Sequence, residues 1–230
     1  MSGRAGGNGQ ERPRLTRERV LRGAVAVADA GGIGALTIRS LAHELGVKPM
    51  SVYHHVANKD EILDGIVDIV FSEIDMPSVG SDWRSEMSRR AHSARRVLRL
   101  HTWAILLLES RTSPGPATLG HHDAVIGTLR AAGFSVEMTA HAYALLDAFV
   151  YGHALQEASL PFEGPDSVGE VAEPIMEMMS AGGYPHLVEM ATSYYVQPGY
   201  DFANEFDFGL TLILDGLTRS LSANVSELPS

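Results

Sequence analysis

Apolar positions in this 230-residue chain recur at helical spacing almost from end to end, and the breaks fall on glycine, proline and capping residues. Leu15, Val20, Leu21, Ala24, Val25, Val27 and Ala28 make the first run, and Gly31-Gly32 ends it with the residue type that tolerates a left-handed C-cap. Thr37 stands where a cap is needed for a short second helix, whose Ile38, Leu41, Ala42 and Leu45 share one face before Gly46 stops it. Pro49 suits the first position of a third helix, because its missing N–H is unpaired there in any case, and Val52 and Val56 point inward. Two short helices joined by a Gly-containing turn behind a longer one form a helix-turn-helix pattern.

Asn58 caps a fourth run, with Asp60 and Glu61 in the first turn where the helix dipole favours negative charge, and Ile62, Leu63, Ile66, Val67, Ile69, Val70 and Ile74 carry it to Pro77. The spacing then predicts a helix from a Ser81 cap to Leu98, a short apolar helix over His101–Ser110, and a helix from Pro114-Gly115-Pro116 to Gly133. Ser135 caps a long helix to about Ser159, Pro161–Gly169 reads as a loop, shorter helices flank Gly182-Gly183, and a last one runs from about Asp201 to Ser222. No stretch alternates with period two, so the fold expected is all-α. The organisation expected is a disordered basic arm over 1–14, a helix-turn-helix domain over 15–60, a connecting helix over 61–76, and a larger ligand-binding and dimerisation bundle over 77–225.

Net charge changes the picture only once it is divided. The whole chain carries -10, which by itself argues against nucleic acid as a partner. Residues 1–60, however, hold nine basic side chains against five acidic ones, net +4, which leaves -14 for the rest. A basic module fused to an acidic body follows. The absence of cysteine excludes disulfide scaffolds, thiolate metal sites and cysteine nucleophiles. The longest strongly apolar run, Trp103–Leu108, is far short of the roughly 20 residues that span a bilayer, and the polar start of the chain lacks an apolar signal core, so a cytoplasmic protein is expected.

With Val52 and Val56 turned inward, Lys48, Pro49, Ser51, Tyr53, His54 and His55 are left for base edges and phosphates. Lys59 adds a cation at a helix N-terminus, and Thr37 and Arg39 are placed to clamp the flanking strand. His54 and His55 are adjacent on a helix, about 100° apart, and cannot face one metal ion together. In the body, His101, Trp103, His121, His122, Tyr143, Asp147, Tyr151 and His153 interrupt apolar helices. Tyr143, Asp147 and Tyr151 are four apart and share a face; an ionised Asp147 among leucines and alanines needs a partner. Polar groups converging inside an apolar bundle are the anatomy of a ligand pocket, although each alone is equally at home as a satisfied core residue. Phe206, Leu210, Ile213, Leu214 and Leu217 stripe the last helix, a candidate dimer interface together with the long helix from Ser135. No nucleophile elbow, phosphate loop or metalloprotease motif occurs, so neither an enzyme nor a cofactor is expected.

The run Leu36-Thr37-Ile38-Arg39-Ser40-Leu41-Ala42-His43-Glu44-Leu45-Gly46-Val47, then Ser51-Val52-Tyr53-His54-His55-Val56 and Asn58-Lys59, resembles the N-terminal domain of the tetracycline repressor (TetR) family. Further along, His101-Thr102-Trp103-Ala104, Arg111, Gly115-Pro116 and Leu129-Arg130 with Ala132-Gly133-Phe134 resemble the tetracycline-repressor-type C-terminal domain. The resemblance implies a homodimer whose heads read a palindromic double-stranded operator and let go when a small molecule enters the body. It carries the DNA contacts onto the nine head residues above; in the body, the polar residues within apolar helices, with Arg111, give His101, Trp103, Arg111, His122, Tyr143, Asp147 and Tyr151 as ligand candidates. Glu109 falls near the position of the tetracycline repressor's magnesium-binding histidine, which argues for a different effector. A metal-sensing regulator and a helical dimer that binds protein in place of DNA are the competing readings.

Overall fold

The computed structural model of the chain describes residues 14–161 and 168–226. Ten α-helices follow in order: α1 (Arg17–Gly31), α2 (Ile38–Leu45), α3 (Pro49–Val52), α4 (Lys59–Glu73), α5 (Trp83–Leu100), α6 (Pro116–Ala131), α7 (Val136–Ser159), α8 (Val168–Ala181), α9 (Pro185–Met190) and α10 (Ala203–Ser226). There is no strand among the described residues, and the fold is all-α. The chain forms two compact units that divide between Val67 and Asp68, inside α4. Nearly all of the expected N-terminal arm, and the middle of the Pro161–Gly169 loop, lie outside the described residues; Val168 and Gly169 already belong to α8.

In the first unit the helices start and stop where local chemistry requires. Thr16 caps α1 by accepting from the Arg19 N–H. Thr37 and Ser40 form a reciprocal capping box at α2, and Gly46 ends that helix at φ 65°, the left-handed region that a Cβ disfavours. Asn58 Oδ1 accepts from the Glu61 N–H at 2.8 Å, and the Glu61 carboxylate reaches back to the Ala57 N–H at 2.7 Å and sideways to Arg17. That donor set holds the Glu61 carboxyl below its ordinary range. Val20, Leu41, Val52 and Ile66 are fully buried between these helices. Tyr53, His54 and His55 form a turn after α3 and do not extend it.

In the second unit α5 packs against α6, α7 and α10, and α7 also against α6 and α10. Asp82, and not the expected Ser81, caps α5 by accepting from the Ser85 N–H at 2.9 Å. A carboxylate one residue later is the better acceptor for a helix N-terminus. The expected helix over His101–Ser110 is a single 3₁₀ turn, Thr102–Ala104, followed by turns. Its apolar residues Trp103, Ala104, Ile105 and Leu108 are buried all the same, so the run signalled burial and not helical period.

The last helix corrects the expected dimer stripe. Phe206, Leu210, Leu214 and Leu217 are buried inside their own subunit and Ile213 is half-buried. Phe206 stacks on Phe149 of α7 with ring centroids 5.3 Å apart, and the Arg95 guanidinium of α5 lies over the Phe206 ring, 5.2 Å from its centroid. The stripe therefore closes the monomer's core, and the exposed face of α10 carries Phe208 and Leu212 instead.

Close approach at this contact depends on Gly209, where a Cβ would stand 2.6 Å from Cε2 of the Phe149 ring. Gly209→Ala is expected to cost about 1–3 kcal/mol through overpacking, read as a lower urea midpoint at unchanged slope. An unchanged midpoint would show that the ring moves aside freely.

Candidate functional site

On the head, α2, α3 and the residues that flank them expose Thr37, Arg39, Lys48, Pro49, Tyr53 and His54, with Lys59 exposed at the start of α4. Ser51 and His55 are half-buried. Val52 and Val56 are buried, which fixes the orientation of the turn between them. Arg39, Lys48 and Lys59 make no ion pair among the described residues, in contrast to Arg17 and Arg22, which pair with Glu61 and Glu18. Cations without an ion-pair partner can give their charge to phosphates without first breaking a bond. The Thr37 hydroxyl is engaged at the α2 cap, accepting from the Ser40 N–H at 3.0 Å. Met50, absent from the expected set, is 71% exposed on α3, a large apolar side chain that can contact a thymine methyl.

In the body, His122, Tyr143, Asp147 and Tyr151 come together around two residues not among the ligand candidates, Arg90 and His121. Arg90 Nη1 lies 2.7 Å from Asp147 Oδ1, an ion pair with both side chains buried. Arg90 Nε–H donates to His121 Nε2 at 2.9 Å. Burial first, then the Arg90 guanidinium and His122, push the His121 ring down to about 3. Burial and the Asp147 carboxylate push the Tyr143 and Tyr151 phenols upward, so both stay protonated. Phe71 meets the His121 and His122 rings at 5.6 and 5.1 Å, and Tyr143 meets His122 edge-on at 5.7 Å. His101 is turned elsewhere, to Glu73 Oε2 at 3.1 Å, with buried Trp103 edge-on to it; Arg111 is half-buried in the turn before α6.

A small all-helical head with exposed cations, on a chain whose helical body buries a polar cluster, matches known proteins over nearly its whole length. The family described as "Bacterial regulatory proteins, tetR family" matches residues 20–66, and "Tetracyclin repressor-like, C-terminal domain" matches residues 76–221. The chain belongs to the TetR family of transcriptional regulators. It is 32% identical over 215 residues, 90% of this chain and 78% of the relative, to the HTH-type transcriptional repressor DrrR1 of Streptomyces coeruleorubidus. To the class A tetracycline repressor from transposon 1721 of Escherichia coli it is 28% identical, over 90% of this chain and 92% of that one. Among solved structures, Streptomyces coelicolor ActR in complex with actinorhodin superposes with a TM-score of 0.73 at 30% identity, covering 90% of this chain and 99% of that one.

As a TetR-family regulator the chain is a transcription factor, and no enzymatic family is indicated. Among the described residues no group of three or more His, Asp or Glu side chains is placed to hold a metal ion, and no helix is long and apolar enough to cross a membrane. The two missed members of the cluster had a sequence signal. On α5 the buried positions Trp83, Met87, Arg90, Ala94 and Val97 keep one register, so Arg90 occupies an apolar-face position among arginines that do not. On α6, Thr118, His121, Val125 and Thr128 do the same, which turns His121 fully inward and leaves His122 half-buried.

Two measurements test this cluster. Arg90→Met leaves a buried carboxylate alone and is expected to cost about 3–5 kcal/mol, whereas Arg90→Met with Asp147→Leu is expected to recover most of that loss in urea unfolding; equal losses would refute the pairing. Because the folded His121 titrates at about 3 and an unfolded ring near 6.5, the unfolded state binds more protons throughout that window, so stability is full above it and falls as pH drops. His153, lowered by burial and Arg95, adds in the same direction. His121→Gln should therefore flatten the fall in melting temperature between about pH 7 and about pH 5, and an identical slope would overturn the assignment.

Proposed function

We propose that this TetR-family chain is a ligand-responsive repressor that holds a palindromic operator as a cytoplasmic homodimer and releases it when a small aromatic or hydrophobic molecule enters the body. The observation that carries this reading is the exposed set on the head: Arg39, Lys48, Tyr53, His54 and Lys59 stand around a buried Val52 and Val56, with the three cations unpaired among the described residues. The relatives support it, since DrrR1 is a repressor and ActR is seen with a small molecule bound. Thr37, Pro49, Ser51 and His55 complete the proposed contact set.

One contact within the second unit supports a route for the signal. Asp68 Oδ1, on the C-terminal half of α4, accepts from both the N–H and the hydroxyl of Thr118, at 2.8 and 3.0 Å. It thereby satisfies the first turn of α6, whose N-cap is a glycine without a side chain to do so. The same helix α6 carries His121 and His122, so a ligand that displaces α6 pulls on α4, and linkage lowers operator affinity by the ligand's differential affinity for the two arrangements. For the dimer, α7 exposes Leu145, Ala148, Gly152 and Leu155 at steps of three and four, and α10 exposes Phe208 and Leu212 at a step of four. These two outward faces replace the buried stripe as the proposed helix-pair interface.

Duplexes selected by the protein from a random-sequence library serve as the operator. Tyr53→Ala and Lys59→Ala are each expected to lose retention of these duplexes in gel shift while the thermal melt stays unchanged. Binding by the parent should weaken steeply with added salt as counterions are released. Normal retention by both folded variants would refute the head assignment.

A further inference from the structure

Basic side chains crowd one stretch of α5. His92, Arg95, Arg96 and Arg99 follow at steps of three, one and three, which puts them on one face of the helix. Together with Leu100 they line a cavity of about 290 Å³, and no carboxylate is in its wall. Such a grouping is unfavourable in itself, since like charges three and four positions apart on a helix repel. Complementing the helix dipole accounts for Arg99 alone, the one arginine in the last turn, because the dipole acts within that turn. The adjoining groove between α5 and α10, which shares His92, differs. Asp207 stands in its wall, Arg84 holds Asp215 at 2.6 Å, and Arg89 holds Glu86 at 2.6 Å.

Around the cavity positive charge exceeds negative charge among the described residues. Glu157 is shared: Arg95 donates to both of its oxygens, at 3.0 and 2.6 Å, and Arg99 stands 3.6 Å from one of them. Asp75 is shared too, 3.8 Å from Arg96 and 3.6 Å from Arg89. Three arginines of the cavity therefore face two carboxylates, one of which also serves a fourth arginine. Donors stay open as well. Arg95 is held by Glu157 and by the Phe206 ring, which leaves its Nη1 without a hydrogen bond to the described residues. Arg96 donates from Nη2 to Ser93 Oγ at 3.0 Å, and Arg99 makes no side-chain hydrogen bond to them. The side chains of Arg96 and Arg99 are 62% and 61% exposed, so both are open to a ligand.

We propose that Arg95, Arg96 and Arg99 form a binding site for a small phosphate-bearing anion, separate from the polar cluster around Arg90. A guanidinium offers a planar fork of donors that matches two oxygens. A carboxylate has only two oxygens and occupies one fork. A phosphate group has three terminal oxygens and up to two charges, so it accepts from several guanidiniums at once and offsets their surplus. The size of the cavity selects a small molecule: about 290 Å³ is at the lower end of ligand pockets, whereas an acidic protein segment needs a face on the order of 800 Å².

The test is calorimetric titration of the full chain with orthophosphate, ribose 5-phosphate and acetate at low, matched ionic strength. Both phosphates are expected to bind, with acetate weaker by about tenfold or more. The tighter of the two phosphates tells free phosphate from a phosphorylated metabolite as the source. Arg96→Gln with Arg99→Gln is expected to weaken phosphate binding about tenfold, while the melting temperature without ligand holds, because exposed ion pairs contribute little. Arg84→Gln in the adjoining groove, and Arg39→Gln with Lys48→Gln on the head, should leave the affinity of this site in place. Absence of phosphate binding, equal binding of acetate, or full affinity in the Arg96 and Arg99 variant would each overturn the proposal. Equal weakening by Arg84→Gln or by the head variant would overturn it too, by showing a general attraction of anions to surface cations.

Discussion

A guanidinium and a carboxylate taken out of water at the crossing of α5 and α7, Arg90 against Asp147, constrain everything around them. Neither charge can be buried alone, because an unpaired ion in that setting loses far more hydration than packing returns. The pair therefore fixes the register of two helices against each other. Through Arg90 Nε it also fixes α6, by committing His121 to one tautomer and one orientation. A buried ion pair is not in itself evidence of high stability. Its consequence here is geometric: three helices share one polar point.

The same body distributes its other charges differently. Arg95 holds Glu157 through two bonds of 3.0 and 2.6 Å, while Arg84 and His92 reach Asp215 and Asp207 across to α10. The pairs to α10 sit at partly or largely exposed positions, where water screens them and each contributes little, whereas Arg95 and Glu157 are mostly buried. Their acids and bases neutralise one another locally. The head's Arg39, Lys48 and Lys59 have no such partners among the described residues, so the division of net charge between head and body is accompanied by a difference in pairing between these three cations and the arginines of α5.

The order of the helices was legible from the chain because caps and breakers act locally. Thr37, Gly46, Pro49, Asn58 and Ser135 each serve where their side chains or backbone freedom predict. Where sequence reading failed, competition was the reason. Ser81 lost the α5 cap to a neighbouring carboxylate, and the apolar run Trp103–Leu108 buries itself as turns because burial requires only apolar surface, not helical period. For the candidate site, an aspartate among leucines announced that a partner exists, and the steps of four to Tyr143 and Tyr151 announced a shared face.

The identity of that partner was a different kind of information. Arg90 is one of six arginines on α5; the apolar register marks it as the one turned inward, and the packing of α5 on α7 decides that what it meets there is Asp147. The stripe from Phe206 to Leu217 posed the same problem, since an apolar face says that it will be covered and not by what; the monomer's own α5 and α7 cover it. The sequence by itself determined the helical class, the helix boundaries set by caps, the head pattern and the charge division, because each depends on residues within a few positions of one another. What the inward arginine and the buried aspartate meet, and which face of the last helix stays wet, depend on helices distant along the chain meeting in space, and only the tertiary structure decided them.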